Sequence, residues 1–222
     1  MIEMNGRHID RPDAAERYWE DFYQDRGEAW SGRPNPLLVR EVTSLTPGAA
    51  LDVGCGEGGD AIWLARQGWR VTAVDVSATA LRRAAAHAAE AGIVDGIQWA
   101  RHDLAQSFPS ESFDLVSAQF LHSPVAAPGE RERILGRAAE RVAPGGVLLI
   151  ASHAGWPSWV RTPPFEYRFP TIPEILDLLT PPQRWRVEVA ELVEREVTSQ
   201  DGQLGHREDT VVRARRMARP MM

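Results

Sequence analysis

Hydrophobic and polar positions along the chain fall into two rhythms. Between residues 49 and 152, short apolar runs at 49–54, 70–75, 97–101, 113–119 and 147–152 read as strands. They alternate with 59–67, 78–91 and 128–142, where apolar residues recur at helical spacing. Gly92 stops the alanine-rich 78–91 stretch, and Pro144-Gly145-Gly146 stops 128–142. Short, nearly continuous apolar strands separated by helices are buried on both sides, which predicts a mostly parallel sheet with helices on both faces. The expected fold class is therefore α/β, doubly wound.

The flanks depart from this rhythm. Residues 14–26 form an amphipathic helix with Tyr18, Trp19, Phe22 and Tyr23 clustered on it, aromatics suited to packing the helix on the main domain. A second helix is predicted over 37–45, after a loop that Pro34 and Pro36 keep out of helix. The 156–173 segment carries five prolines and five aromatics and cannot be a regular element, and 172–179 is predicted as a short helix. Residues 185–198 and 208–216 are β-branched and alternating, with Asp201-Gly202 between them, which predicts an antiparallel hairpin closing the sheet. One domain of four parts is expected: a helical cap over 1–47, a core over 48–152, a lid or insertion over 153–182 and a hairpin over 183–222.

Composition narrows the chemistry. A chain of 222 residues suits one domain with a continuous core. Its 25 basic and 31 acidic residues give a net charge of −6, against the basic footprint that a nucleic-acid or anionic-membrane binder needs. All 25 basic residues are arginine, which excludes a lysine Schiff base and a Walker-type phosphate-binding lysine. The single cysteine, Cys55, excludes internal disulfides and a multi-cysteine zinc site, and no ligand spacing suggests any other metal. With no apolar run approaching 18 residues, a soluble protein of the reducing cytoplasm is expected, a monomer or homodimer.

The sharpest local signal is Leu51-Asp-Val-Gly-Cys-Gly-Glu-Gly-Gly59, a strand running into a glycine-rich turn and then a helix. Glycine is needed where a ligand approaches the backbone closely or φ is positive, and the following helix offers free N–H groups to a polar group. Asp75 ends the next strand 19 residues after Gly56, where an acid accepts from both hydroxyls of a ribose. Loop and acid together specify a nucleoside-bearing cofactor. Gly54, Gly56 and Gly59 also satisfy the dinucleotide spacing. Against a dinucleotide stand the late first strand, Asp103 after the third strand and the terminal hairpin.

In this order and spacing, Leu51 to Gly58, Val74-Asp-Val-Ser77, His102-Asp-Leu104, Phe113 to Gln119, Ala143-Pro-Gly-Gly146 and the hairpin resemble a class I S-adenosylmethionine-dependent methyltransferase. Trp30 and Arg33-Pro-Asn35 ahead of the loop are similar to the tellurite-resistance and thiopurine-type small-molecule branch. The resemblance implies a seven-stranded sheet of order 3-2-1-4-5-7-6 and S-adenosylmethionine as cofactor. It implies that Asp52, Gly54, Cys55 and Gly56 lie along the methionine half and that Asp75 holds the ribose. Val76, Asp103 and Leu104 would surround the adenine, and Gln119 would sit beside the sulfonium. Arg33 would pair with the cofactor carboxylate and Trp30 would cover it. Cys55 reads as packing rather than as a nucleophile.

Methyl transfer is an in-line displacement, so alignment in a dry pocket is the main task. A general base helps only if the acceptor keeps its proton. His122 and His153 follow the fourth and fifth strands, where the acceptor should enter, and are the candidate bases. His8, His87 and His206 read as solvated. The fourth strand ends Ser117-Ala-Gln-Phe120, unlike the box of nucleic-acid amino methyltransferases, which favours a small-molecule acceptor. Two alternatives stay open: a cofactor-binding protein without turnover, and a peptide or protein methyltransferase.

Overall fold

In a computed structural model, residues 14–26, 31–93, 95–163, 167–199 and 201–218 are described. The elements run α1 (Ala14–Asp25), α2 (Pro36–Val42), β1 (Ala49–Val53), α3 (Gly59–Arg66), β2 (Arg70–Asp75), α4 (Ala78–Glu90), β3 (Ile97–Arg101), β4 (Phe113–Gln119), α5 (Glu130–Glu140), β5 (Val142–His153), α6 (Ile172–Leu176), β6 (Trp185–Thr198) and β7 (Leu204–Arg216). Seven strands make one sheet of order β3-β2-β1-β4-β5-β7-β6, the expected order. β1 to β5 pair in parallel, and β7 inserts antiparallel between β5 and β6. From β1 the chain winds outward to β3, then crosses back to lay β4 on the other side of β1. That reversal opens a crevice at the carboxyl ends of β1 and β4, where α/β folds bind ligands.

The two-residue period of the strands sorts their side chains between two cores. Val116, Leu148, Ile150 and Val212 pack beneath Leu135 of α5 and Ile175 of α6. Leu115, Leu149 and Val211 face the opposite side, against Leu38 and Val42 of α2 and Leu64 of α3. Both helical layers thus clamp the central strands and hold their carboxyl ends fixed.

Three local details differ from the sequence pattern. β5 begins at Val142, not 147: Pro144 and Gly145 lie in an irregularity where pairing with β4 shifts between Phe113↔Val142 and Leu115↔Val147. β7 starts four residues early because Leu204 already pairs with Thr198 across the turn. His87 is buried rather than solvated, its Nδ1–H donating to the Glu57 carbonyl at 3.2 Å.

Although α1 has no fully buried residue, it is tied to the crevice wall. The Glu20 carboxylate accepts from Ser77 Oγ at 2.7 Å and from Thr79 N at 3.1 Å, capping the start of α4. Burial pushes the Glu20 carboxyl up, but bonds from Thr79, Ser77 and Gln24 outweigh it and hold it at about 2.

Candidate functional site

The glycine turn is pinned from below and from the side. Gly54 N and Cys55 N both donate to the Val74 carbonyl at 2.9 Å, tying the turn to the end of β2. Gly56, with φ +53°, donates its N–H to Asp75 Oδ2 at 2.9 Å. A Cβ there would lie 2.9 Å from the Tyr23 hydroxyl, so the close approach of α1 and the positive φ both demand glycine. Asp75 Oδ1 accepts from Ser77 N at 2.9 Å. Burial raises the Asp75 carboxyl, opposed by the N–H bonds from Ser77 and Gly56 and by the neighbouring Val76 amide.

Beneath the turn lies an acidic floor. Asp52 is buried, and its Oδ2 has no hydrogen-bond partner. Burial, then Asp60 and Asp75, push its carboxyl well above the usual range. Asp60 is raised to about 6 by burial, against the Asn35 N–H that reaches it at 2.6 Å. The Asn35 side-chain amide donates to Gln119 Oε1 at 3.2 Å, and Gln119 Nε2 donates to Ser117 Oγ at 3.0 Å. Clustered carboxylates with an orphaned buried oxygen suit a ligand carrying positive charge. S-adenosylmethionine carries two such centres, a sulfonium and an ammonium, so the residues fit it. Cys55 is half-buried, and its thiol is pushed up by desolvation, Asp75 and Asp52, so it stays protonated.

Three adjoining cavities follow the strand ends. The first is lined by Trp19, Asp75, Val76, Asp103 and Leu104, and continues past Phe120, Leu121, His122 and Ser123 to Arg131. The second lies on the other side of Gly54, lined by Arg33, Asn35, Cys55, Gly56, Gln119 and Arg195 among others. The third, between α5 and the 167–169 stretch, is lined by His122, Ser123, Arg131, Tyr167 and Phe169. The structure therefore gathers Gly54, Asp75, Val76, Asp103, Leu104 and His122 on one wall and Arg33, Cys55, Gly56 and Gln119 on the next. Asp52 lies under the turn. Trp30 falls outside the described residues.

His153 lines none of these three cavities. It sits behind them, its ring 5.1 Å from that of His122 and 4.4 Å from that of Phe120. Asp209, fully buried on β7, accepts from its Nδ1 at 2.8 Å, and Arg207 Nη1 lies 3.0 Å from its Nε2. An arginine only donates, so Nε2 accepts and Nδ1 carries the hydrogen. Asp209 also accepts from Arg195, whose guanidinium stacks 5.3 Å from the centre of Phe120. Phe120 itself has φ +52°, a costly conformation for an aromatic residue. It turns the chain sharply at the end of β4, straight after Gln119.

His122 is arranged by the same logic. The Arg131 guanidinium beside Tyr167 only donates, which directs the tyrosine hydrogen to His122 Nδ1 at 2.9 Å. The neutral ring then carries its hydrogen on Nε2. Burial, then His153, Arg131 and Arg207, lower its pKa to about 3. With these bonds drawn, neither imidazole keeps a free lone pair, which leaves both poorly suited to the base role that strand-end position suggested. Arg131, Asp209, Arg195 and Arg207 went unmarked in the sequence, and Tyr167 stood out only as one aromatic of the 156–173 segment; a Tyr or Asp far along the chain carries no local signal of its partner.

The His122 arrangement predicts a pH effect. Its folded value lies below the ordinary 6.5, so below 6.5 the unfolded chain takes up a proton the folded chain refuses. Stability is complete above 6.5 and falls as pH drops toward 3, by up to about 2 kcal/mol between pH 7 and 5. Asp60, raised to about 6, works in the opposite direction, so the informative quantity is a difference. Denaturant titrations at pH 7 and pH 5 should show His122→Gln losing less stability than wild type over that interval. Equal losses would mean that His122 takes up its proton normally in the folded protein.

Residues 50–146 match the family model of a methyltransferase domain. The ubiquinone biosynthesis O-methyltransferase of Caulobacter sp. strain K31 is 38% identical over 102 residues, 46% of this chain and 39% of the relative. The chain thus matches well under half the length of that relative. Thiocyanate methyltransferase 1 of Brassica oleracea is 28% identical over 172 residues, covering 70% of this chain and 76% of its own. A solved structure concerned with the conversion of a disulfide bond into a thioacetal group during echinomycin biosynthesis superposes with a TM-score of 0.71 at 24% identity, covering 91% of both chains. That last likeness establishes shared fold. With the glycine turn, Asp75 and the sheet order already in place, residues 50–146 form a domain similar to the S-adenosylmethionine-dependent methyltransferases.

Proposed function

We propose that this protein transfers the methyl group of S-adenosylmethionine to a small-molecule acceptor. The observation that carries the reading is the Gly56–Asp75 pairing at the crevice, at 2.9 Å, above the acidic floor of Asp52 and Asp60. Asp75 would hold the ribose, Val76, Asp103 and Leu104 the adenine, and Gly54, Cys55 and Gly56 the methionine backbone, with Asp52 beneath it. Gln119 would lie beside the sulfonium, and Arg33 would meet the carboxylate. When bound, the cofactor supplies a methyl group on a positively charged sulfur. The protein's own task is alignment and exclusion of water, and orientation of this kind is worth roughly 7–11 kcal/mol of barrier. Trp19 and Tyr23 of α1 and the turn at Phe120 enclose the reacting region.

His122 and His153 would act here as oriented, neutral rings instead of bases. Acceptors that need no proton removed therefore suit the site, in keeping with the thiocyanate in the name of the Brassica relative. Residues 153–182 would serve as the acceptor-side wall between the 48–152 core and the 183–222 hairpin, beside the 1–47 cap. The net charge of −6 and the lone Cys55 support a cytoplasmic monomer or homodimer that binds no nucleic acid. Among the described residues no helix is long and apolar enough to cross a membrane.

Calorimetric titration with S-adenosylhomocysteine, alongside NAD, tests the cofactor. Micromolar, one-to-one binding of the first alone is expected. Binding of NAD alone would return the glycine turn to an oxidoreductase. Release of S-adenosylhomocysteine from S-adenosylmethionine only in the presence of an acceptor separates turnover from mere binding.

A further inference from the structure

We propose that the cavity between Phe120–Ser123, the start of α5 and Tyr167 is an anion subsite for the methyl acceptor, built for a carboxylate or similar oxyanion on a small organic molecule. The inference rests on the methyltransferase reading and names the acceptor class it leaves open. Six buried side-chain polar atoms among the described residues lack a hydrogen-bond partner, and three of them belong to neighbours in this one place: His122 Nε2, Ser123 Oγ and Arg131 Nε. All three residues line both the first and the third cavity. Buried polar groups are ordinarily paired, so three orphans together mark the place of a missing partner.

The sign of that partner follows from the donors. Arg131 only donates, and its guanidinium beside Tyr167 directs the tyrosine hydrogen to His122 Nδ1, which leaves His122 Nε2 bearing a hydrogen. Ser123 can donate as well. Three donors, one of them on a guanidinium, thus line the same two cavities with no protein acceptor on the atoms named. Of the carboxylates that also line these cavities, Glu130 accepts from Ala127 N at 3.2 Å and Glu174 pairs with Arg168, while Glu132 takes Arg131 Nη2 at 2.8 Å and leaves Arg131 Nε unpartnered. Phe169, Tyr167, Ile134 and Leu121 supply flat and apolar surface for an organic body. At its other end the first cavity reaches Asp75 and Leu104, so an anion held here lies beside the proposed cofactor site.

The test uses benzoate and benzamide, matched in shape and differing in charge. Each is titrated calorimetrically into the full chain, with and without saturating S-adenosylhomocysteine. Benzoate is expected to bind at least tenfold tighter than benzamide. Arg131→Met should bring that preference close to one, and Ser123→Ala, nearly isosteric and safe for folding, should cut it severalfold. Affinity for S-adenosylhomocysteine should stay within twofold of wild type in both. Equal binding of the two probes, or a preference untouched in both variants, would overturn the subsite. So would a large loss of S-adenosylhomocysteine binding in the variants, since the donors would then belong to the cofactor. Failure of wild type to bind S-adenosylhomocysteine would sink the methyltransferase reading instead, while the titrations of the unloaded protein still report on the subsite.

Discussion

Asp75→Ala is expected to weaken S-adenosylhomocysteine binding by at least a hundredfold. The carboxylate is 8% exposed and each oxygen already accepts one backbone N–H, Gly56 on Oδ2 and Ser77 on Oδ1, both at 2.9 Å. A carboxylate oxygen accepts two bonds, so each has one direction left for a ribose hydroxyl. Hydrogen bonds to a charged group are worth about 1.5–3 kcal/mol each. Losing two removes about 3–5 kcal/mol, and about 2.7 kcal/mol already corresponds to a hundredfold. The truncation also leaves the Gly56 N–H without its acceptor, loosening the turn. Asp75→Asn separates the effects: it keeps the shape and one acceptor, so the turn should survive while affinity still drops about tenfold or more. Calorimetry gives the affinities and thermal unfolding the integrity of the variants. An Asp75→Ala protein with normal affinity and normal melting would remove Asp75 from the site.

Which features were legible in the sequence depended on distance along the chain. Strand and helix order could be read because Leu115 and Val116, or Leu148 and Leu149, alternate within a few residues and go to opposite cores. The glycine turn and Asp75 were legible as well, lying 19 residues apart on consecutive strands. The second layer of the site was not. His153 meets Asp209 across 56 residues and His122 meets Tyr167 across 45, through an antiparallel register and an irregular segment that no local pattern specifies. The histidines were found by their place at strand ends, but their role depends on those distant partners, which decide where each proton resides. His87 was misjudged for a related reason: its helix face packs beside Glu57, 30 residues earlier, and a histidine among alanines gives no sign of it.

The unforeseen group also carries the largest expected loss of stability. Asp209 is fully buried on β7, opposite His153 of β5 in the sheet register, and it accepts from both His153 and Arg195. Asp209→Ala would strand the Arg195 guanidinium without its anion and His153 Nδ1–H without an acceptor. Breaking a buried pair by removing one partner costs about 3–5 kcal/mol. At about 2–4 °C per kcal/mol for a domain of this size, the melting temperature should fall by roughly 10 °C. Asp209→Asn keeps an acceptor for one neighbour but loses the charge, so it should fall between wild type and the alanine variant. Replacing Arg195 with methionine in the Asp209→Ala background removes the stranded cation and should recover part of the loss. That reversal distinguishes charge pairing from a simple packing defect, which a second truncation would worsen. Arg195 also stacks on Phe120, whose left-handed backbone turns the chain beside the crevice, so the surviving folded Asp209→Ala protein should bind acceptor probes more weakly than its melting alone explains. A melting shift under 2 °C would mean that the Asp209 cluster orders the site without holding the fold.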